Sequence, residues 1–428
     1  MEASWVHTFH SDPWIVDAQI LADLLGILSN IEELSLNIGT TFAPEHFDDI
    51  FSIARPSLKS LSIIFRPYVQ KATYYQFLKG SYFDNLLTHV ASWPSDSQLQ
   101  RLSIVQTSLP EMSSHFAQPI VFFSLQPLTE LVSSPALRKT THFRFSVPSR
   151  PIADAIRTPK PRLDAVTLLD LSTTSVNPNA ISKTLLAQFP NLVHLILDEC
   201  AVVSRATELT GEFSTLGQLC ATSPIDKARS REKKLKEIAA LRRTAIESAS
   251  VSNPTTEASA PTQPKKSKKG RRGLAAPAFS LREKVCDNQV PVVDSSTPIG
   301  ADTIILLEKV RILPIQGKLQ TLCTTVFAAP TQEQIDFWQG EFAAGWTKGS
   351  RSLEAVQKRF FSSLAHHLIR LFRFATPEEQ LQPKEDEMLK LSELEDLVEV
   401  TTEEFEVYLQ MPIQPPRLCF GGMEGVPH

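Results

Sequence analysis

The sequence predicts an α/β fold in which short parallel strands line one face of a repeating array and helices line the other. Three observations carry this: a recurring strand-sized motif, helical segments between its copies, and a length of 428 residues, more than one compact core normally supports. The motif is Leu-x-x-Leu-x-Leu with conservative replacements. It occurs at Ile31-x-x-Leu34-x-Leu36, Leu58-x-x-Leu61-x-Ile63, Leu99-x-x-Leu102-x-Ile104, Leu163-x-x-Val166-x-Leu168 and Leu192-x-x-Leu195-x-Leu197. A degenerate copy spans Leu137 to Phe145, where Phe143 and Phe145 alternate. From Leu34 to Leu61 is 27 residues, from Leu61 to Leu102 is 41, and from Val166 to Leu195 is 29. Between copies, Asp17 to Leu28 sets Ile20, Leu21, Leu24, Leu25 and Leu28 at spacings of three and four, which makes an apolar helix face. Segments 83–90 and 180–189 are patterned alike.

Repeats of this length and pattern predict an irregular leucine-rich-repeat solenoid with a parallel concave sheet and outer helices over residues 1–222. The character then changes. Residues 223–300 read as a basic, largely disordered insertion: a charged helix from Ile225 to Ser248, then Ala249 to Gln263, rich in Ser, Thr, Ala and Pro. Between Asp226 and Lys284 there are 16 Lys or Arg against 6 acidic residues, a local charge of +10. The motif returns as Leu307-x-x-Val310-x-Ile312, so 301–330 reads as a resumed repeat strand and the basic span as an insertion within the array. Residues 331–411 predict a helical C-terminal cap. Thr331-Gln-Glu-Gln334 has the form of a capping box, Ile335, Trp338 and Phe342 follow on one face, and a second helix runs from Ser350 to Ala375. Shorter acidic helices are expected at 384–398 and 402–411. Pro377 to Glu406 holds 12 acidic residues against two lysines, a charge of −10 that can meet the basic insertion within one molecule. Residues 412–428, with Gly421-Gly-Met-Glu-Gly425, read as a flexible tail.

Side chains alternate across a strand, so the three apolar motif positions point into the array and the residues between them point out. On that reading Ile64, Val105, Leu169, Ile196 and Leu313 form an exposed apolar patch, with His194 and Asp198 beside it. Such a patch marks either a partner site or a surface covered by another part of the chain. The long interval between Leu61 and Leu102 holds Tyr68, Tyr74, Tyr75 and Tyr82, and Tyr74 and Tyr75 join the candidate partner-binding residues. The basic tract Lys265, Lys266, Lys268, Lys269, Arg271 and Arg272 fits an import signal, a polyanion contact or a solvated linker. No aromatic residue interleaves with it to stack bases.

Nothing in the sequence specifies a reaction, a metal or a cofactor. There is no phosphate-binding Gly-rich loop and no Gly-x-Ser-x-Gly elbow. The histidine clusters, His7-x-x-His10 and His366-His367, lack a His-Glu-x-x-His spacing. Five cysteines without a Cys-x-x-Cys pair predict a reduced intracellular setting, nuclear or cytoplasmic, and Cys200 sits where a repeat needs a small buried group. No apolar run reaches the roughly 18 residues of a membrane span, and the N-terminus has no secretory pattern.

Pro190-Asn-Leu192-Val-His-Leu195-Ile-Leu197, Asn30-Ile-Glu-Glu-Leu34-Ser-Leu36 and Pro56-Ser-Leu58-Lys-Ser-Leu61 together resemble the large fungal family of F-box and leucine-rich-repeat proteins, over about residues 17–200. The resemblance implies repeats that hold a substrate protein and an F-box that docks the Skp-type adaptor of cullin-based ubiquitin ligases. No Leu-Pro-x-Glu-type F-box opening precedes the repeats, which leaves only the substrate-holding half. The function expected from the sequence is therefore a non-enzymatic protein–protein interaction scaffold, substrate-receptor-like. The alternative is a nuclear protein whose basic insertion contacts nucleic acid.

Overall fold

The computed structural model describes residues 5–11, 17–39, 41–65, 82–107, 121–157, 163–200, 202–203, 211–251, 307–326, 330–365, 369–376, 379, 392–410 and 414–421. The chain divides into two compact units, residues 1–232 with 311–428, and residues 233–310.

The first unit is built on a parallel sheet of nine strands in the order β1 (Thr8–Ser11), β2 (Glu33–Ile38), β3 (Ser60–Phe65), β4 (Arg101–Gln106), β5 (His142–Ser146), β6 (Leu168–Asp170), β7 (His194–Leu197), β9 (Thr321–Thr324) and β12 (Arg417–Phe420). Seven consecutive strands are thus laid side by side in chain order, and β8 (Val310–Ile312) is not among them. Helices connect them: α1 (Ala18–Ile27), α2 (Pro44–Phe51), α3 (Asp84–Ala91), α4 (Gln126–Val132), α5 (Ile152–Ala155) and a helical run over 178–188, the first five each packed on the next.

One backbone contact repeats at every step. The amides of Glu32 and Glu33 both donate to the His7 carbonyl, those of Lys59 and Ser60 to Glu32, and those of Gln100 and Arg101 to Lys59. The series continues with Thr141 and His142 on Gln100, Thr167 and Leu168 on Thr141, Val193 and His194 on Thr167, and Gln320 and Thr321 on Val193. At the ninth position stands Pro416, which has no N–H, and Arg417 alone donates to Gln320. Just past three neighbouring strands, Ser149, Thr173 and Glu199 take positive φ of 60°, 67° and 57°, so successive copies also turn in the same way.

The inward residues of the strands are fully buried: Leu34 and Leu36, Leu61 and Ile63, Leu102 and Ile104, Phe143 and Phe145, Leu195 and Leu197. Behind them a run of phenylalanines links the layers, with ring centroids 5.5 Å apart for Phe47–Phe83, 5.1 Å for Phe65–Phe83, 5.6 Å for Phe65–Phe122 and 5.6 Å for Phe122–Phe145. Helix ends are closed by side chains. Asp17 accepts from the Gln19 amide at the start of α1, and Arg55 donates to the carbonyls of Leu25, Leu28 and Ile50 at the ends of α1 and α2.

Several expectations need correction. In β6 the motif is shifted by three residues, which exchanges the two faces: Leu169 pairs with Phe143 and Leu195 and is fully buried, whereas Leu168 lies on the outer face. The working motif is Val166-x-x-Leu169-x-Leu171, because the Thr167 amide fixes the strand's entry on the Thr141 carbonyl. Leu307-x-x-Val310-x-Ile312 does not resume the array. Its strand β8 joins a separate three-stranded sheet in the order β11 (Leu397–Glu399), β10 (Arg370–Phe374), β8, where the Leu313 amide donates to Phe372 O and the Leu313 side chain is buried. The array resumes instead at Leu319-x-x-Leu322-x-Thr324, and again at Leu418-Cys-Phe420 inside the expected flexible tail. Helix expected to Ala375 gives way to strand β10, and Leu397–Glu399, within an expected acidic helix, is strand β11. Thr402–Gln410 is helical as expected (α8), and the Thr331 box forms: Thr331 N donates to Gln334 Oε1 at 2.9 Å and Gln334 N to Thr331 Oγ1 at 3.3 Å.

The charged helix is longer than the sequence pattern indicates. It runs from Glu212 to Val251 (α6) with Pro224 inside it, and its residues up to Glu232 belong to the first unit. There it packs on α7 (Gln332–Ala365). The contact is close because both helices present glycine: a Cβ at Gly345 would lie 1.8 Å from Ser214 O, and one at Gly217 would lie 2.2 Å from Phe342 O. The pair covers the inward side of the last strand through Phe213, Trp338 and Phe420, whose rings lie 5.5–5.7 Å apart.

The second unit comprises the remainder of α6 and the residues up to Val310. Within it Leu235 and Ala239 are buried and Arg243 pairs with Glu308 at 2.8 Å. Ala249 to Val251, from the expected disordered span, continue α6, and the rest of that span with its basic tract, Lys265 to Arg272, lies outside the described residues, as do Tyr68, Tyr74, Tyr75, His366 and His367.

Candidate partner-binding face

The outer face of the nine-stranded sheet is set by the same alternation that buries its leucines. Strand register aligns the outward residues into rows across the sheet. One row reads Thr8, Glu33, Ser60, Arg101, His142, Leu168, His194, Thr321, Arg417. The next reads His10, Ser35, Ser62, Ser103, Arg144, Asp170, Ile196, Cys323, Cys419. A third begins Asn37, Ile64, Val105, Ser146.

Several of these side chains are open to solvent. Arg101 and Arg144 are 55% and 47% exposed, and His10, His142 and Arg417 are exposed as well. The charges of Arg101 and Arg144 are nevertheless matched along the face. Arg101 reaches across Ser60 to Glu33 at 2.9 Å, and Arg144 holds Asp170 at 2.9 Å. Asp170 also accepts from the Ser172 amide at 2.9 Å, so it is fixed on two sides. His194 Nδ1 and Thr321 Oγ1 are 2.8 Å apart, and Thr325 donates to Asp198 at 3.1 Å. Partial burial first, and then the Arg101 and His194 charges, hold the His142 ring below the ordinary histidine range.

Of the expected partner-binding residues, the structure brings His194, Ile196 and Asp198 together on and just past β7, and pairs Ile64 with Val105 in adjacent strands. Leu169 and Leu313 are core residues, so the continuous apolar patch does not exist. The aliphatic outward groups are Ile64 with Val105, Leu168, and Ile196, separated by polar positions. Tyr82, the described tyrosine of the long interval between Leu61 and Leu102, stacks on Phe123 at 5.0 Å. Reasoning from the motif missed Arg144 and His142, because the degenerate copy Leu137 to Phe145 has Thr140 where the other copies carry a large aliphatic residue. It also missed Thr321, Cys323, Arg417 and Cys419, whose strands are distant in sequence from their neighbours.

Cys200 is fully buried, donates to Leu171 O at 3.2 Å, and has its thiol pushed up to about 12 by burial, which fits a small core group. Among the described residues no group of three or more His, Cys, Asp or Glu side chains is placed to hold a metal ion, and no helix is long and apolar enough to cross a membrane. Compared with protein-family models, curated proteins and solved structures, the chain matches none of them.

Proposed function

We propose that the first unit is an irregular leucine-rich-repeat solenoid and that its outer sheet face holds another protein, the substrate-holding half of the role that the F-box resemblance implies. The observation that carries the reading is the serial amide-to-carbonyl contact from His7 to Arg417, one copy per strand, beside a face whose polar and aliphatic groups alternate in register. A protein partner suits this face better than nucleic acid. Phosphate backbones select unmatched rows of Lys and Arg, whereas here Arg101 and Arg144 are matched by Glu33 and Asp170. Aliphatic pairs set among polar groups are what the centre of a modest protein interface requires.

The test compares the wild-type chain with an Ile64→Glu, Val105→Glu double variant and with Arg144→Glu, each checked for an unchanged melting temperature. Photocrosslinking from position 103, between these sites, should yield a defined protein adduct that both variants lose. Identical adducts from folded variants would refute the assignment of this face.

A further inference from the structure

Cys323 and Cys419 are 96 positions apart in sequence and stand directly opposite each other as Cα partners in the parallel strands β9 and β12. Their neighbours Leu322, Thr324, Leu418 and Phe420 are buried on the inner side, which puts both cysteines on the outer face. The Cys419 thiol is close enough to Cys323 to oppose its ionisation, and no disulfide joins the two. Adjacent strands run about 4.7–4.9 Å apart, inside the roughly 4.4–6.8 Å Cα separation that a disulfide tolerates. Moreover, β12 is the last strand in the sheet order, held by a neighbour on one side, so it can shift by the few tenths of an ångström that closure requires.

We propose that Cys323 and Cys419 form a redox modification site that closes to an intrachain disulfide on reaction with hydrogen peroxide, stapling β12 to the sheet. The two thiols have different parts. Cys419 is partly exposed and reacts first, while Cys323 is 3% exposed and meets Cys419 rather than solvent. In the first step the Cys419 thiolate attacks a peroxide oxygen, the O–O bond breaks, and a sulfenic acid forms with release of water after proton uptake. In the second, the Cys323 sulfur attacks the Cys419 sulfur, the S–O bond breaks, and the leaving hydroxide takes the Cys323 proton as water. Two thiols are oxidised by two electrons and one peroxide is reduced, giving one disulfide and two waters. Burial, with the Cys419 thiol beside it, pushes the Cys323 thiol up to about 12, so the second step quickens as pH rises. This inference is independent of what the sheet face binds.

The experiment treats the purified full chain with hydrogen peroxide, blocks remaining thiols with an alkylating agent, and maps cysteines by non-reducing peptide mass spectrometry beside Cys323→Ser and Cys419→Ser. The wild type should yield a linked peptide joining 323 to 419, in monomeric protein, with a melting temperature raised by about 5 °C and restored by dithiothreitol. Cys323→Ser should stop at a sulfenic acid that dimedone traps at Cys419, and Cys419→Ser should leave Cys323 unoxidised. A wild type in which Cys419 accumulates as dimedone adduct or sulfinic acid without the linked peptide would overturn the proposal. So would a linked peptide that pairs either cysteine with a different partner.

Discussion

Leu168 and Leu169 are adjacent and chemically identical, and β6 sends them to opposite faces. The fully buried Leu169 sits between Phe143 and Leu195, so Leu169→Ala should cost about 2–5 kcal/mol in urea unfolding, through lost transfer energy and the cavity left behind. Leu168→Ala should cost less than about 1 kcal/mol by the same measurement. A larger cost at Leu168 than at Leu169 would restore the register read from the motif. A second single-residue test concerns Arg373, 9% exposed, which holds Glu379 at 2.6 Å and Glu404 at 2.6 Å. The guanidinium keeps the Glu379 carboxyl at about 2, below its ordinary 4.5, so its contribution is fully present above about pH 4.5 and is lost as pH falls toward 2. Glu379 is 30% exposed and partly screened, which limits the contribution to roughly 1–2 kcal/mol. Glu379→Gln should flatten the acid limb of a stability–pH curve between those values and leave the slope near neutrality unchanged.

At the scale of elements, the decisive packing is between α6 and α7. Gly345 leaves no space for a methyl group against Ser214 O, whereas Gly340, five residues earlier on the same helix, has no atom within 4 Å of the equivalent point. Gly345→Ala should therefore destabilise by roughly 2–3 kcal/mol through forced separation of the helices. Gly340→Ala should stabilise by up to about 1 kcal/mol through helix propensity alone. Chemical denaturation of the two variants reads both signs. The sequence pattern placed helices at 225–248, after Thr331 and at 350–375, but it showed neither the start of α6 at Glu212 nor the contact at Gly217 and Gly345, since Gly is penalised locally and its benefit appears only when a second helix approaches. The end of α7 is similarly context-dependent. Arg370–Phe374 has an apolar run that suits either a helix or a strand, and pairing with β11, through Phe372 opposite Glu399, decides for strand.

Over the whole molecule, the nine-stranded sheet is completed by segments drawn from far along the chain, with β9 following β7 after 123 intervening residues and β12 last in the order. Truncation after Gln410 removes β12, whose Phe420 packs on Phe213 and Trp338, and uncovers the β9 edge. Such a chain should unfold at least 5 °C below the full-length protein and show faster amide exchange at Leu322 and Thr324. A true flexible tail would produce neither change. The glycine after β12 belongs to the fold as well: a side chain at Gly421 would meet Asp198 Oδ1 at 2.5 Å, where the Gly421 amide donates to Thr324 O.

What the sequence determined by itself is the parallel α/β character and the positions of β2, β3, β4, β5 and β7, because each carries inward apolar residues at the spacing of a strand and follows a helical segment. It also put His194 and Ile196 on the outer side of β7 with Asp198 just past its end, since a well-formed motif settles which residues point outward. Only the tertiary structure decided the slip in β6, the removal of Val310–Ile312 to a second sheet, and the recruitment of Thr321–Thr324 and Arg417–Phe420 in its place. The physical reason is common to all three. Several short apolar segments satisfy the local pattern equally well, and the choice among them rests on which backbone amides can meet a neighbour's carbonyl and which side chains fill the space beneath, neither of which is a property of the segment alone.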